Sequence, residues 1–184
     1  MKIKNSILKH LFPERCVGCN SYPHIICNQC IQKLTNAEEK CYICKTDSEN
    51  FKTHYNSLNN LFINFSYSPT IEKLVISLKY DFYYLAAEEI AKLIKNSPNT
   101  PDLTIYDIIP VPIHWKRKNQ RGFNQNEKIL NELNKLYGKT LKIKNCLEKL
   151  KFTEHQLGHS KKEREQNIKY SINFKPEFHD QLNN

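Results

Sequence analysis

Apolar and polar residues follow two different periods in the middle of the chain. From Ile63 to Tyr67 they alternate, which is the period of a half-buried strand, and Pro69 closes this segment. Over 70–80 the apolar residues recur every three or four positions, which predicts a helix. A second helix is expected over 84–95. The pattern therefore changes from strand to helix within a few residues.

The second half of the chain repeats this alternation. The segment 105–113 is β-branched and almost continuously apolar, which is typical of a strand buried on both faces of a parallel sheet. An apolar stripe predicts a helix over 125–137, and a short strand is expected over 141–146. Ser160 and Glu163 have the spacing of a capping box, so another helix should begin there. Strands and helices in this order indicate an α/β fold.

The composition predicts a folded, basic protein. Of its 184 residues, 39% are hydrophobic, so the chain can bury a real core. It carries 28 Lys and Arg against 19 Asp and Glu, a formal net charge of +9. That excess favours polyanionic partners such as nucleic acid or a phosphorylated small molecule. A basic, well-solvated surface explains the charge equally well, and composition alone leaves both interpretations open.

The chain shows no feature of export or membrane insertion. Its N-terminal segment lacks the apolar core and the cleavage site of a secretory signal. No stretch approaches the roughly 18 apolar residues of a membrane span. We therefore expect a cytoplasmic protein without a membrane span. Because the cytoplasm is reducing, its cysteines are interpreted as metal ligands and not as disulfide partners.

Six of the seven cysteines lie in the first 44 residues, in three Cys-x-x-Cys pairs. This shift in composition predicts two units, a zinc-binding module over 1–58 and a second domain over 59–184. Each pair can present two thiolates to one tetrahedral zinc ion, and two pairs complete a structural site. The metal would supply folding free energy that so short a segment lacks. The candidate ligands are Cys16, Cys19, Cys27, Cys30, Cys41 and Cys44.

Which four cysteines bind is left open by the spacing. Seven residues separate Cys19 from Cys27, so the first two pairs close the shortest loop and are our first choice. The third pair would then need other ligands, for which His54 is a candidate. The alternative is one site formed by the first and third pairs. Four thiolates leave no open position for water, so a catalytic zinc is not expected.

A cluster of basic residues follows the predicted buried strand. Ligands of open α/β sheets bind beyond the carboxyl ends of the strands, so a loop at this position is suited to hold an anion. Basic side chains there suit phosphate. An exposed loop without a ligand is an equally good interpretation of spacing alone. The residues concerned are Lys116, Arg117, Lys118 and Arg121.

The same stretch carries a family resemblance. Pro-Val-Pro at 110–112, followed by Arg-Gly-Phe-Asn-Gln at 121–125, resembles the hallmark motif of the ComF family. Further elements fit in the expected order, namely Leu-Lys-Tyr at 78–80, Thr-x-x-Gln at 153–156 and Arg-x-x-Asn at 164–167. The match extends over essentially the whole chain.

The resemblance implies a fold and a set of partners. ComF proteins join N-terminal cysteine pairs to a type I phosphoribosyltransferase-like domain, and they are associated with competence and the handling of single-stranded DNA. Single-stranded DNA and DNA-processing proteins are therefore the implied partners, with zinc as the cofactor. Residues 151–168 would correspond to the flexible hood over the site. The residues that would bind phosphoribosyl pyrophosphate or another phosphate are Lys116, Arg117, Arg121, Asn124 and Gln125.

Two elements of the family pattern are missing from this sequence. It contains no acidic pair followed by a Thr-Thr-Gly turn, which holds the phosphoribosyl donor in the related enzymes, and no fourth cysteine pair. We therefore interpret the chain as truncated and expect it to be inactive alone as an enzyme. The predicted fold class is α/β, a zinc-ribbon-like cysteine module followed by an incomplete phosphoribosyltransferase-like domain with a parallel sheet. No catalytic residue is assigned.

Three functions follow from this interpretation. The first is a ComF-type accessory protein in competence, DNA uptake and single-stranded DNA processing. The second is a phosphoribosyltransferase that acts on a nucleobase-like acceptor. The third is a non-functional truncated remnant. Salt-dependent DNA binding separates the first from the others, and protection by phosphoribosyl pyrophosphate separates the second.

Overall fold

The computed structural model describes residues 14–37, 61–80, 84–153 and 160–178. None of the helices in these ranges is long and apolar enough to cross a bilayer. The predicted unit boundary at residue 58 lies outside them. The helices are α1 (Asn28–Gln32), α2 (Pro69–Tyr80), α3 (Leu85–Asn96), α4 (Trp115–Arg121), α5 (Gln125–Leu136) and α6 (Lys161–Ile168). The strands are β1 (Asp107–Ile108), β2 (Lys142–Ile143), β3 (Leu147–Lys149) and β4 (Ile172–Phe174).

Helices α2 and α3 confirm the two periodic segments. Pro69 occupies the first position of α2, where its fixed φ suits a helix and its missing N–H costs nothing. The Ser68 hydroxyl accepts a hydrogen bond from the Ile71 N–H at 3.3 Å. Leu74 and Leu78, one turn apart, are fully buried. The apolar stripe of α2 therefore faces the interior, as its spacing predicts.

The cysteine segment packs against α2 and α3 in one hydrophobic cluster. Hydrogen bonds add a second link. The Asn99 side-chain amide donates to the carbonyl oxygens of Ala37 at 3.0 Å and Ile63 at 2.8 Å, which lie on either side of the undescribed residues 38–60. The cysteine segment is therefore anchored on the two helices. The buried members of the cluster are Cys16, Ile25, Ile26, Cys30, Leu74, Leu78, Ala86, Ala87 and Leu93.

A second cluster lies between α3 and α5 and is closed by β1 and β2. Ala91, Leu133 and Leu141 form its buried centre. Strands β1 and β2 pair in parallel, with Asp107 opposite Lys142, and α4 and α5 lie between them in sequence. This strand–helix–strand unit agrees with the predicted α/β fold and with a parallel sheet.

The predicted strands are shorter than their apolar runs. The run over 105–113 contains only the two-residue β1, and Val111 is 61% exposed, so the prediction of a strand buried on both faces is wrong. Pro110 and Pro112 lack the N–H groups that a longer strand needs. The strand predicted from Ile63 to Tyr67 is reduced to one bridge between Phe65 and Asn36.

The antiparallel pair β3–β4 carries the chain back toward α4. The Leu150 N–H extends this pairing by donating to the Ser171 carbonyl oxygen at 2.8 Å. Helix α6 precedes β4 and begins with the predicted capping box. Its Ser160 N–H donates to the Glu163 carboxylate at 2.6 Å, and the Glu163 N–H donates to the Ser160 hydroxyl at 3.4 Å. The pairing places residues 150–153 beside α4.

Candidate metal centre and basic segment

The first two cysteine pairs come together in the structure. The sulfur atoms of all four residues lie within 4.8 Å of one another, and the Sγ atoms of Cys19 and Cys27 are 3.6 Å apart. Four thiolates at about 2.3 Å from a tetrahedral zinc ion are about 3.8 Å from each other. The cluster of Cys16, Cys19, Cys27 and Cys30 therefore fits a structural zinc site.

Two local structures present these thiols. In the first pair, the chain turns back at Asn20, which has a left-handed φ of 64° and donates its N–H to the Cys16 carbonyl oxygen. In the second pair, Cys27 is the N-cap of α1 and Cys30 lies within that helix. The Cys27 N–H also donates to Cys16 Sγ at 3.4 Å, which joins the two structures. Such N–H donors orient thiolate ligands around a metal.

Gly18 makes room for the second pair, a role that the sequence analysis missed. A Cβ atom at this position would lie 2.6 Å from Cys30 Sγ, 3.2 Å from Cys30 Cβ and 3.3 Å from Thr70 Oγ1. The first distance is shorter than van der Waals contact permits. Only glycine therefore lets the turn of the first pair approach Cys30 so closely.

The thiols of this cluster differ in acidity. The Ser21 hydroxyl, 3.1 Å from Cys19 Sγ, and the Ser21 N–H lower the pKa of Cys19 to about 6. Burial, together with the neighbouring thiols, raises the pKa of Cys30 to about 12. For Cys16, burial raises the pKa but the N–H groups of Cys19 and Cys27 outweigh it, so the pKa is lowered. Because metal ligands are thiolates, binding would release a proton from Cys30 above all.

The remaining candidate ligands cannot be placed with the cluster. Cys41, Cys44 and His54 lie outside the described residues. Cys146 is described and buried, but it is not one of the four clustered thiols. The first choice made from loop length, the two nearest pairs, is thus the arrangement that the described residues adopt.

The four basic residues Lys116, Arg117, Lys118 and Arg121, called the basic segment below, lie on a helix and not on a loop. His114 caps α4, because its Nδ1 accepts a hydrogen bond from the Lys116 N–H at 3.2 Å. Lys118 forms an ion pair of 3.4 Å with Glu127. Arg117 donates from Nη2 to the Thr153 carbonyl oxygen at 2.8 Å. The helix therefore fixes the basic side chains in space, with Arg117 turned toward the segment after β3.

The other predicted phosphate ligands lie where α5 begins. Asn124 is buried and caps α5 through its side-chain oxygen, while its amide donates to the Val111 carbonyl oxygen at 3.3 Å. The Gln125 side-chain oxygen accepts from Arg121 at 3.2 Å, and the Arg121 guanidinium lies 5.0 Å from the centre of the Tyr80 ring. Asn124 thus holds the turn before α4 in place, and Arg121 is held by its neighbours.

The segment after β3 supplies residues that the sequence analysis did not connect with α4. Lys149 Nζ is 2.9 Å from Thr153 Oγ1, and the Phe152 ring contacts His114 with 5.3 Å between ring centres. Arg117 and Thr153 are 36 residues apart in sequence, so no local pattern signals this contact. Of the predicted hood over 151–168, residues 154–159 are outside the described ranges.

Comparison with known proteins gives one relationship. Competence protein F of Haemophilus influenzae is 25% identical to the chain in an alignment of 178 residues that covers 88% of this chain and 77% of that protein. No protein-family model matches the chain. No solved structure matches it either. The similarity supports the relationship to the ComF family that the motifs predict, as a distant one.

Proposed function

We propose that this protein is a ComF-type accessory factor in competence that binds single-stranded DNA through the basic segment on α4. The likeness to Competence protein F supports the competence-related role. The observation that carries the DNA-binding part is the pair Lys116 and Arg117. Among the described residues, neither forms an ion pair with a carboxylate, so both charges are available to a phosphate.

In this proposal the four clustered cysteines hold a structural zinc ion. Once bound, the ion would supply folding free energy and no catalytic step, because four thiolates fill its coordination sphere. Cys16 and Cys30 belong to the same buried cluster as Leu74 and Leu78 of α2. The metal would therefore stabilise the packing of the cysteine segment on α2 and α3. The basic segment would contact the nucleic acid.

Salt dependence tests the DNA-binding part. A fluorescent 20-nucleotide oligo(dT) is titrated with the protein at several salt concentrations. Each phosphate contact contributes about −0.7 to the slope of log affinity against log salt. The variant K116A/R117A/K118A/R121A should bind more weakly and with a flatter slope.

A control of equal charge makes this test specific. The variant K33A/K73A/K139A/K142A also removes four positive charges, all from exposed lysines that belong neither to α4 nor to residues 149–170. It should keep most of the affinity and most of the slope. If both variants lose affinity equally, the net charge and not the basic segment is responsible. If the unmodified protein does not bind oligo(dT) even at low salt, the proposed function is wrong.

A phosphoribosyltransferase is the second candidate, because the basic segment follows β1, a strand paired in parallel with β2. Phosphate ligands bind at this position in open α/β sheets. Thermal unfolding with and without phosphoribosyl pyrophosphate separates the two. We expect no change in the melting temperature, and a clear rise would favour the enzyme.

A further inference from the structure

Two aromatic rings flank the buried imidazole of His114. The centre of the His114 ring lies 5.5 Å from that of Trp115 and 5.3 Å from that of Phe152, in an edge-to-face contact with the latter. His114 is only 7% exposed, while Trp115 is 61% exposed and Phe152 is 43% exposed. The imidazole thus supports two rings whose surfaces remain open to solvent. Neighbouring exposed aromatic rings are a common feature of binding surfaces.

Two cations lie beside these rings. Lys116 Nζ lies 5.7 Å from the centre of the Trp115 ring and 5.8 Å from that of Phe152. The Arg117 guanidinium lies 5.6 Å from the centre of the Phe152 ring. These distances are within the range of cation–π contact, so the cations and the rings form one surface.

Arg117 is fixed beside a further cation, Lys149. Arg117 donates to the carbonyl oxygen of Thr153, and Lys149 Nζ lies 2.9 Å from the hydroxyl of the same residue. Partial burial, and then the charge of Arg117, lower the pKa of Lys149. Among the described residues, no carboxylate forms an ion pair with either cation. An anion at this position would offset their repulsion.

Exposed aromatic rings beside unpaired cations match one class of ligand. A nucleobase of single-stranded DNA offers a π-face for stacking, and the adjacent phosphate offers the anion. In duplex DNA the bases are already stacked and paired, so their faces are not accessible. A free phosphate would use the cations but not the rings.

We propose that Trp115 and Phe152 form a stacking platform for unpaired bases of single-stranded DNA, and that Lys116, Arg117 and Lys149 hold the flanking phosphates. This inference rests on the proposed function and goes beyond it, because it assigns the binding energy largely to bases and not to charge alone. Stacking on aromatic side chains tolerates every base, so binding should show little sequence preference.

The intrinsic fluorescence of Trp115 tests the platform directly, because it is the sole tryptophan of the chain. The protein is titrated with oligo(dT) and with an abasic oligonucleotide of equal length, which has the same phosphates and no bases. We expect oligo(dT) to quench the fluorescence and to bind about 5- to 150-fold more tightly than the abasic strand. Duplex DNA of equal length should quench little.

Variants of Phe152 show which ring carries the effect. With a labelled oligo(dT), Phe152→Ala should weaken binding about 5- to 150-fold, and Phe152→Tyr should restore most of the affinity. Phe152→Leu keeps an apolar contact with His114 but removes the π-face, so it should bind like Phe152→Ala. Tyr170→Ala is the matched control. Tyr170 is 75% exposed, with the Lys169 ammonium 5.3 Å from its ring centre, but among the described residues the ring that contacts His114 edge-to-face is that of Phe152.

The outcomes separate the platform from the proposed function. Equal binding of oligo(dT) and the abasic strand, with unchanged Trp115 fluorescence, would refute the platform while DNA binding by charge stands. Equal losses in Phe152→Ala and Tyr170→Ala would also refute it. Absence of binding to both strands at low salt would refute the proposed function itself, and the platform with it.

Discussion

The cysteine cluster at 16–30 and the basic segment around α4 assemble their functional groups in opposite ways. The cluster draws all four thiols from one short stretch, and each pair is shaped by its own turn or helix end. The basic segment on α4 is instead brought together with residues 149–153. The pairing of β3 with β4 places those residues beside α4. One site is local in sequence, and the other depends on tertiary structure.

The two regions also differ in what stabilises them. Cys16 and Cys30 lie in a hydrophobic cluster with α2 and α3, so metal binding and core packing support each other. Around α4 the rings of Trp115 and Phe152 are largely exposed, and the contacts are hydrogen bonds and cation–π pairs. We therefore expect large effects on folding from changes in the cluster and mainly effects on binding from changes around α4.

The largest effect is expected from Cys16→Ser or Cys30→Ser. Protein purified under reducing conditions should contain about one zinc per chain, and either variant should lose it. Structural zinc contributes about 10 to 16 kcal/mol of binding free energy in small zinc folds. Loss of the metal should therefore unfold the cysteine segment and lower the melting temperature of the chain. Metal analysis and thermal unfolding measure both.

Cys146→Ala is the control for this prediction. Cys146 is as well buried as Cys16 and Cys30 but is not one of the four clustered cysteines. The variant should keep its zinc and lose only packing. Wild-type protein without zinc would contradict the prediction. Zinc retained after both cluster substitutions would show that the metal is bound through the third pair, Cys41 and Cys44, instead.

The second prediction concerns Gly18→Ala. Its new Cβ would lie 2.6 Å from Cys30 Sγ, so the thiolate must shift away from the metal position. We expect zinc affinity, measured by competition with a chelator, to fall about 10- to 100-fold, as for other residues that orient ligands. The variant should still fold when zinc is in excess.

Gly138→Ala gives the matched comparison. Gly138 has a φ of +65° and no atom within 4 Å of a built Cβ, so alanine there strains the backbone without contacting anything. It should cost about 1 to 2 kcal/mol of stability and leave zinc affinity unchanged. If Gly18→Ala behaves in the same way, the close approach to Cys30 is not what the metal site requires.

The difference between the two regions explains how far the sequence could predict them. The Cys-x-x-Cys spacing and the short link between Cys19 and Cys27 are local, so they predicted which thiols lie together. The periodic segments predicted α2, α3 and α5 within a few residues. Motifs at 110–112 and 121–125 predicted the ComF relationship, which similarity to Competence protein F supports.

The sequence-based predictions failed where the structure depends on contacts with residues distant in sequence. The apolar run over 105–113 resembles a buried strand, but strand length depends on what pairs with it and covers it, and Val111 is exposed. No local pattern joins His114 to Phe152, because their ring contact depends on the pairing of β3 with β4. Gly18 gave no signal, since only the position of Cys30 reveals why a side chain is excluded.

The third prediction concerns Asn124, which caps α5 and donates to the Val111 carbonyl oxygen. Asn124→Ala removes these two bonds and a third one of 3.2 Å to the Glu127 carboxylate, at a buried position, so it should cost about 1 to 3 kcal/mol in chemical denaturation. Oligo(dT) affinity of the folded variant should change little. Asn126→Ala, which removes a second bond of 2.9 Å to the same carbonyl oxygen but no cap, should cost less. A larger loss of affinity than of stability would make Asn124 a ligand-binding residue.

The smallest effect is expected at the ion pair between β1 and the residues after β2. Asp107 Oδ2 lies 2.9 Å from Lys144 Nζ, and both side chains are nearly half exposed. The hydrogen bond from Lys144 lowers the pKa of Asp107 below its ordinary value. A carboxyl group with a lowered folded pKa stabilises the fold above its unfolded pKa. That contribution is lost as the pH falls through the folded pKa, below about pH 4.

Asp107→Asn should therefore be slightly less stable than the wild type near neutral pH, and the difference should vanish in acid. Exposed ion pairs contribute little, so the change should be smaller than that of Asn124→Ala. Denaturation followed by Trp115 fluorescence measures it, and raised salt should reduce it. Zinc release in acid, where protons compete for the thiolates, should be the same in both proteins. A stability difference that persists in strong acid would show that the carboxylate charge is not its cause, and altered zinc release would show that the two regions are coupled.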